Sequence, residues 1–181
     1  MAWRTLGTRL VYANRWIRVR EDAVVKPDGA EGIYGVVEMV NPAVFVVALT
    51  ERDEVVLVAV DRYTTGLRRS LEVPAGATDG EDPLVAARRE LREETGLLAA
   101  EWTALGGMNA LNGIAEAPEL VFLARGLSPS DDGHEQEEEG ISEVLRVPFA
   151  EALELVRDGE IVDGETIASL ALAGIALGRF R

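Results

Sequence analysis

The pattern of apolar and polar positions predicts strands in the first part of the chain. Residues 10–25 alternate apolar and polar side chains, and KPDG then marks a turn before IYGVVEMV. Alternation of this kind is typical of half-buried strands, so we predict an N-terminal antiparallel hairpin or meander that ends near Asn41-Pro42. AVFVVAL and VVLVAV, separated by TERDE, are continuously apolar and predict a second hairpin that is buried on both faces.

The stretch GATDGEDPLVAARRELREETGL, residues 76–97, predicts a helix. Asp82 is a favourable N-cap residue and Pro83 a favourable first helical residue, while Gly96 is a common helix stop. Apolar residues at helical spacing predict the buried face of this helix: Leu84, Ala87, Leu91 and Leu98.

The remainder of the chain predicts two further strands and two further helices. ELVFLARGL (119–127) and SEVLRVP are the strands, and residues 148–158 and 164–178 are the helices. Strands and helices do not alternate regularly, which favours a mixed sheet packed between helices over a doubly wound parallel sheet.

Composition narrows the class of function. The chain has 181 residues, of which 48% are apolar and 28% charged, and its net charge is −14. This acidity argues against binding to nucleic acid and against a polybasic membrane contact. Cysteine is absent, which excludes disulfides and thiolate sites. The N-terminus lacks the apolar core of a signal peptide and no apolar run could span a bilayer, so we expect a cytoplasmic protein.

Three glutamates on the predicted helix are candidates for metal binding. Glu90, Glu93 and Glu94 fall at positions i, i+3 and i+4 and therefore share one face, with Arg89 beside them. A solvated surface helix held by Arg–Glu pairs would explain the same pattern. Carboxylates with a nearby main-chain carbonyl would instead form an all-oxygen site suited to Mg²⁺ or Mn²⁺. A magnesium ion held by few protein ligands keeps coordination positions that water or phosphate oxygens can fill. This favours a phosphate-containing substrate.

The same stretch resembles the Nudix box: Gly, five residues, Glu, seven residues, then Arg-Glu-apolar-any-Glu-Glu-any-Gly-apolar. The half from Glu81 through RELREETGL matches at every required position, whereas four residues separate Gly76 from Glu81. LEVPAG, NPAVFVV, the segment from RVPFAEAL onward and the N-terminal hairpin resemble the ADP-ribose pyrophosphatase branch of the Nudix hydrolases. The resemblance implies an α/β fold, the Nudix α/β/α sandwich with a mixed sheet over residues 42–181, and a small N-terminal antiparallel β-domain over residues 1–41.

The resemblance also implies roles for individual residues. Glu90, Glu93, Glu94 and the main-chain carbonyl of Ala75 would hold divalent metal. Among them Glu93 would also be catalytic. Arg89 would be a catalytic residue that orients the glutamates, and Glu81 would brace the loop before the helix. The N-terminal β-domain would contact, and exchange with, that of a second subunit in a homodimer.

Two further sets of residues follow from the resemblance. A catalytic glutamate of a late loop matches Glu139 best and Glu138 next, with Glu143 a weaker match in HEQEEEGISEVLRVP. A solvated acidic loop without a catalytic role would have the same kind of sequence. Arg62 and Glu72 match positions near the nucleotide, where they would bind substrate, and they would equally suit an ordinary ion pair.

The expected reaction is Mg²⁺-dependent hydrolysis of the diphosphate linkage of a nucleoside diphosphate sugar, with ADP-ribose, giving AMP and ribose 5-phosphate, as the leading candidate. GDP-mannose and other nucleotide sugars follow, because LNG places Asn112 where members that prefer ADP-ribose carry Pro. The alternative, suggested by this departure and by the shortened box loop, is a degenerate Nudix domain that binds a nucleotide sugar without turnover.

Overall fold

The computed structural model describes residues 2–131, 136 and 140–180, which form a mixed α/β fold. The elements in chain order are β1 (Arg4–Ala13), β2 (Ile17–Val25), β3 (Glu31–Met39), β4 (Ala43–Ala48), β5 (Glu54–Arg62), β6 (Leu67–Glu72), β7 (Ala75–Ala77), α1 (Pro83–Thr95), β8 (Leu97–Asn109), β9 (Ala115–Glu116), β10 (Pro118–Pro129), β11 (Ile141–Pro148), α2 (Phe149–Arg157) and α3 (Gly164–Ala176).

One compact unit contains the chain up to Pro42 together with Met108–Glu119. Its sheet has the order β1-β2-β3-β9, and the antiparallel pairing of β1 with β2 and of β2 with β3 confirms the predicted meander. The turn between β1 and β2 is fixed by Asn14, whose side-chain oxygen accepts hydrogen bonds from the amides of Trp16 and Ile17 at 2.8 and 2.9 Å. The local turn chemistry of Asn therefore sets where the first strand reverses.

The second compact unit contains Ala43–Gly107 and the chain from Leu120 onward. It has two sheets, of order β7-β4-β10-β8 and β11-β5-β6. Alternate residues of β4, including Val44 and Val46, pack with Ala87 and Leu91 of α1. Val47, which points to the opposite face, is also fully buried, and α3 packs on the same strand. Strand β4 is thus covered by a helix on each face, which is the predicted α/β/α layering.

The predicted hairpin of AVFVVAL and VVLVAV is wrong. A single antiparallel bridge joins Leu49 to Val55, and beyond it β4 enters one sheet while β5 enters the other. Both strands are buried on both faces as expected. Because neither face is polar, the alternation that normally specifies a strand partner is missing. In the structure β4 pairs with β7 and β10, whereas β5 pairs with β6 and β11.

Strand β8 was not predicted, because its largely exposed residues and the Gly106-Gly107 pair obscure its alternation. Leu98 belongs to this strand and is 44% exposed, so its assignment to the buried face of the helix was wrong. Helices α2 and α3 lie within the predicted ranges 148–158 and 164–178. In the part of the chain described here, no helix is long and apolar enough to cross a membrane.

Candidate active site

Local signals determine both ends of helix α1, as the sequence predicts. The Asp82 carboxylate accepts a hydrogen bond from the amide of Leu84 at 2.9 Å, and Pro83 is the first helical residue. Gly96 ends the helix in the left-handed conformation, with φ of 69°, and its amide bonds to the carbonyl of Arg92. Gly adopts this conformation without a Cβ clash, so the acidic face is held between two well-defined ends.

Arg89 lies at the centre of the acidic cluster. Its guanidinium donates to Glu81 at 3.0 Å, to Glu90 at 2.8 Å and to Glu93 at 3.2 Å. It also donates to the main-chain carbonyl of Ala77 at 2.9 Å. Burial alone would lower the pKa of Arg89, but the hydrogen bond to Glu81 and the negative charge of Glu90 outweigh burial and raise it. Arg89 is therefore a permanent cation that links helix α1 to the loop before it.

The main chain around Ala75 and Gly76 approaches two of these glutamates closely. The amide of Ala75 donates to the Glu94 carboxylate at 3.0 Å. Gly76 faces Glu90 so closely that a Cβ at position 76 would overlap the Glu90 carboxylate. Both acids are buried, with only 8% of Glu90 and 6% of Glu94 exposed. The structure thus places Glu94 against the amide of Ala75 and Glu90 against Gly76, while the role of these residues as metal ligands stays a prediction.

The donor chemistry of this cluster fits a hard divalent cation. Glu81, Glu90, Glu93 and Glu94 against Arg89 and Arg92 leave two excess negative charges among six side chains. Carboxylate and main-chain oxygens are the ligands that Mg²⁺ and Mn²⁺ prefer. Among the residues that the structure describes, however, no three acidic, His or Cys side chains form a ready-made metal site. The carboxylates are instead paired with arginines, including Arg92, which donates to Glu93 at 2.6 Å.

The predicted substrate residues Arg62 and Glu72 form an ion pair with each other. The Arg62 guanidinium donates to the Glu72 carboxylate at 2.9 and 3.1 Å. Glu72 is buried whereas Arg62 is half exposed, and this hydrogen bond raises the pKa of Arg62. Their role in substrate binding stays a prediction.

Of the predicted base candidates, Glu138 and Glu139 lie outside the described residues, as does their neighbour Glu137. Glu143 is described: it is exposed on β11 and accepts from Arg69 at 3.0 Å. The residue next to Glu139 is also described, and the carbonyl of Gly140 accepts a hydrogen bond from the amide of Asp61 at 3.2 Å. Gly140 is thus bonded to the residue that precedes Arg62 in the sequence.

Two contacts near the site were missed from the sequence. The buried hydroxyl of Thr166 in α3 accepts a hydrogen bond from the amide of Val73 at 3.1 Å. Glu165 lies near Glu72 and Asp163, and burial, followed by the charge of Asp163, raises its pKa. Thr166 and Val73 are 93 residues apart, so no spacing rule could have paired them.

Comparison with known proteins identifies the family of this chain. A family model described as NUDIX domain matches residues 39–170, and one described as nucleoside diphosphate sugar hydrolase N-terminal domain matches residues 3–37. An ADP-ribose pyrophosphatase of Mycobacterium tuberculosis is 34% identical over 175 residues, which cover 96% of this chain and 81% of that protein. A GDP-mannose pyrophosphatase of an Enterobacter species is 31% identical over 137 residues, covering 72% and 71% of the two chains.

A solved structure described as an ADP compounds hydrolase superposes with a TM-score of 0.86, covers 100% of this chain and 97% of its own, and is 23% identical. At this identity the superposition establishes the fold alone. The match of the NUDIX model to most of the chain, together with the relative in M. tuberculosis, shows that this protein belongs to the Nudix family of pyrophosphohydrolases.

Proposed function

We propose that the protein hydrolyses the diphosphate linkage of a nucleoside diphosphate sugar with the help of Mg²⁺, and that ADP-ribose is converted to AMP and ribose 5-phosphate. The observation that carries this proposal is the buried pair Glu90 and Glu94, held against the main chain of Ala75 and Gly76. The names of the relatives, which act on ADP-ribose and GDP-mannose, support the substrate class.

Glu90, Glu93, Glu94 and the main-chain carbonyl of Ala75 are the proposed metal ligands, with Mn²⁺ able to take the place of Mg²⁺. When bound, the cation neutralises charge that develops on the phosphate oxygens and activates the attacking water. Arg89 orients Glu90 and Glu93 through the hydrogen bonds described above.

Other residues act on the substrate and on the water. Arg62, oriented by Glu72, presents a half-exposed guanidinium that suits a phosphate or ribose oxygen. Glu139 is the proposed general base that accepts the proton of the attacking water. If Glu139 does not serve, Glu93 is the alternative base within the acidic helix.

A panel of nucleotide sugars tests the function. ADP-ribose, GDP-mannose and other nucleoside diphosphate sugars are incubated with the protein and Mg²⁺, and the released nucleoside monophosphate is measured with and without EDTA. We expect turnover that EDTA abolishes. Binding detected by calorimetry without turnover of any compound would instead favour the degenerate Nudix domain.

Replacing Gly76 by Ala tests the close approach of the main chain to Glu90. The φ of Gly76 does not require glycine, so the backbone tolerates Ala, but the added Cβ displaces the flexible Glu90 carboxylate. Displacing a catalytic group by an ångström costs roughly 10²-fold in rate, so kcat/KM should fall by about this factor while the melting temperature changes little. Gly35→Ala, which adds a Cβ in open space, is the matched control. Equal kcat/KM in both variants would contradict the role of Glu90.

We also propose that the N-terminal β-domain of residues 1–41 forms a homodimer contact. Every residue of β1 is exposed, and the strand presents several large apolar side chains to solvent: Leu6, Leu10, Val11 and Tyr12. A small sheet that leaves apolar residues exposed gains stability when a partner covers them.

Light scattering checks this proposal on the full chain at micromolar concentration. We expect a dimer for the wild type, and a shift toward monomer for Leu10→Lys, which places a charge on the exposed strand. Glu101→Gln, on the exposed face of β8, is the control and should remain dimeric. A stable wild-type monomer at these concentrations would contradict the dimer.

A further inference from the structure

Val73 and Pro74 lie between β6 and β7 and belong to neither strand, and they lead directly to Ala75 beside the acidic helix. Strand β6 ends at Glu72, which pairs with Val58, and β7 begins at Ala75. Val73 is 1% exposed, so its amide is shielded from water. A buried amide without a partner costs free energy, so its hydrogen bond must come from outside the sheet.

Three consecutive residues are anchored here, and the last of them, Ala75, also pairs with Phe45 of β4 as the first residue of β7. The amide of Val73 donates to the Thr166 hydroxyl of α3 at 3.1 Å. The carbonyl of Pro74 accepts from the amide of Val46 in β4 at 2.8 Å. The amide of Ala75 donates to the carboxylate of Glu94 in α1 at 3.0 Å. Helix α3, strand β4 and helix α1 therefore fix three consecutive residues, and two of the anchors are side chains.

Thr166 is itself fixed in place. It is the third residue of α3, is fully buried, and its amide donates to the N-cap carboxylate of Asp163 at 2.7 Å. Its hydroxyl therefore stands at a defined position at the start of α3 and provides a rigid acceptor for Val73.

We propose that Thr166 is a positioning residue for the divalent cation: its hydroxyl fixes the segment from Val73 to Ala75, and thereby places the main chain of Ala75 relative to Glu94. The inference rests on the proposed function, because it assigns the cation to the same cluster. Partners that orient metal ligands without touching the metal contribute substantially to metal affinity. Removing the hydroxyl should therefore weaken cation binding while the helix and its core packing remain.

The chain supplies a matched set of variants. Thr166→Val preserves the shape and removes the hydroxyl. Thr166→Ser and Thr166→Ala lose the same methyl group and differ in the hydroxyl alone, so their comparison remains informative even if Val is not tolerated. Ser169 lies one turn further along α3, is fully buried, and has no hydrogen-bond partner for its hydroxyl among the described residues. Ser169→Ala therefore removes a buried hydroxyl that anchors nothing.

The test measures Mn²⁺ binding to each full-length variant by electron paramagnetic resonance, without substrate, and amide hydrogen exchange at Val73. The dissociation constant of Mn²⁺ should rise about tenfold in Thr166→Val and Thr166→Ala, the lower end of the range for such partners, and stay near wild type in Thr166→Ser and Ser169→Ala. Exchange at Val73 should be slow in the wild type, Thr166→Ser and Ser169→Ala, and faster in the two variants that lack the hydroxyl.

Wild-type Mn²⁺ affinity in Thr166→Ala would overturn the inference and leave the proposed function intact. An equal loss of affinity in Thr166→Ser and Thr166→Ala, or in Ser169→Ala, would also overturn it, because core packing rather than the hydroxyl would then be responsible. A wild-type protein that neither binds Mn²⁺ nor turns over any nucleotide sugar would remove the proposed function itself and this inference with it.

Discussion

Replacing Glu94 by Gln is expected to lower kcat/KM by about 10³-fold, because losing one metal ligand removes several kcal/mol of transition-state stabilisation. The Gln side-chain oxygen can still accept the hydrogen bond from the amide of Ala75, so the substitution removes charge while preserving this contact. The fold should be retained or slightly stabilised, since one source of like-charge repulsion disappears. We expect a similar loss for Glu93→Gln.

Steady-state kinetics with ADP-ribose and Mg²⁺, together with calorimetric unfolding, check this prediction. Glu101→Gln removes an exposed carboxylate of β8 and should keep wild-type kinetics. Wild-type rates in Glu94→Gln or in Glu93→Gln would reject the role of that glutamate at the metal.

Replacing Glu139 by Gln should lower kcat by roughly 10²–10⁴-fold and change KM little, the effect expected for loss of a general base. The expectation comes from the sequence, in which Glu139 follows two other glutamates in a long charged segment. The described neighbour Gly140 is hydrogen-bonded to the amide of Asp61, beside the proposed substrate residue Arg62. A carboxylate that meets the attacking water only when substrate is bound affects rate more than binding.

Glu137, Glu138 and Glu139 are adjacent, so one could partly replace another, and each needs testing singly and in the triple Gln variant. Glu143→Gln is the control, because Glu143 is exposed on β11 and paired with Arg69. Full kcat in all three single variants and in the triple variant would show that none of these glutamates is the general base. Glu93 would then be the next candidate.

The acidic helix could be predicted because its determinants are local. Asp82, Pro83 and Gly96 define its ends through contacts within a few residues, and they do so in the structure as the sequence predicts. The i, i+3 and i+4 spacing that places Glu90, Glu93 and Glu94 on one face follows from 3.6 residues per turn. The contact between Arg89 and Glu93, four residues apart, follows from the same geometry.

Strand positions could be predicted more readily than strand partners. Residues of β4 and β5 were correctly expected to be buried on both faces, but their apolar character carried no information about pairing. The short TERDE turn favoured a hairpin, whereas the structure distributes the two strands between two sheets. Pairing with β10 and β11 depends on side chains that are far away in sequence.

The sequence by itself determined the helix with its caps, the shared face of its glutamates, and the family to which these residues point. Only the tertiary structure decided what surrounds them. Arg89 donates hydrogen bonds to Ala77 and Glu81, and Gly76 lies directly against Glu90. Arg62 forms an ion pair with Glu72. It also decided that Thr166 holds Val73 across 93 residues. The physical reason is the range of the interactions, because helix geometry and capping act within a turn, whereas the partner of a buried amide or carboxylate is chosen by how distant elements pack.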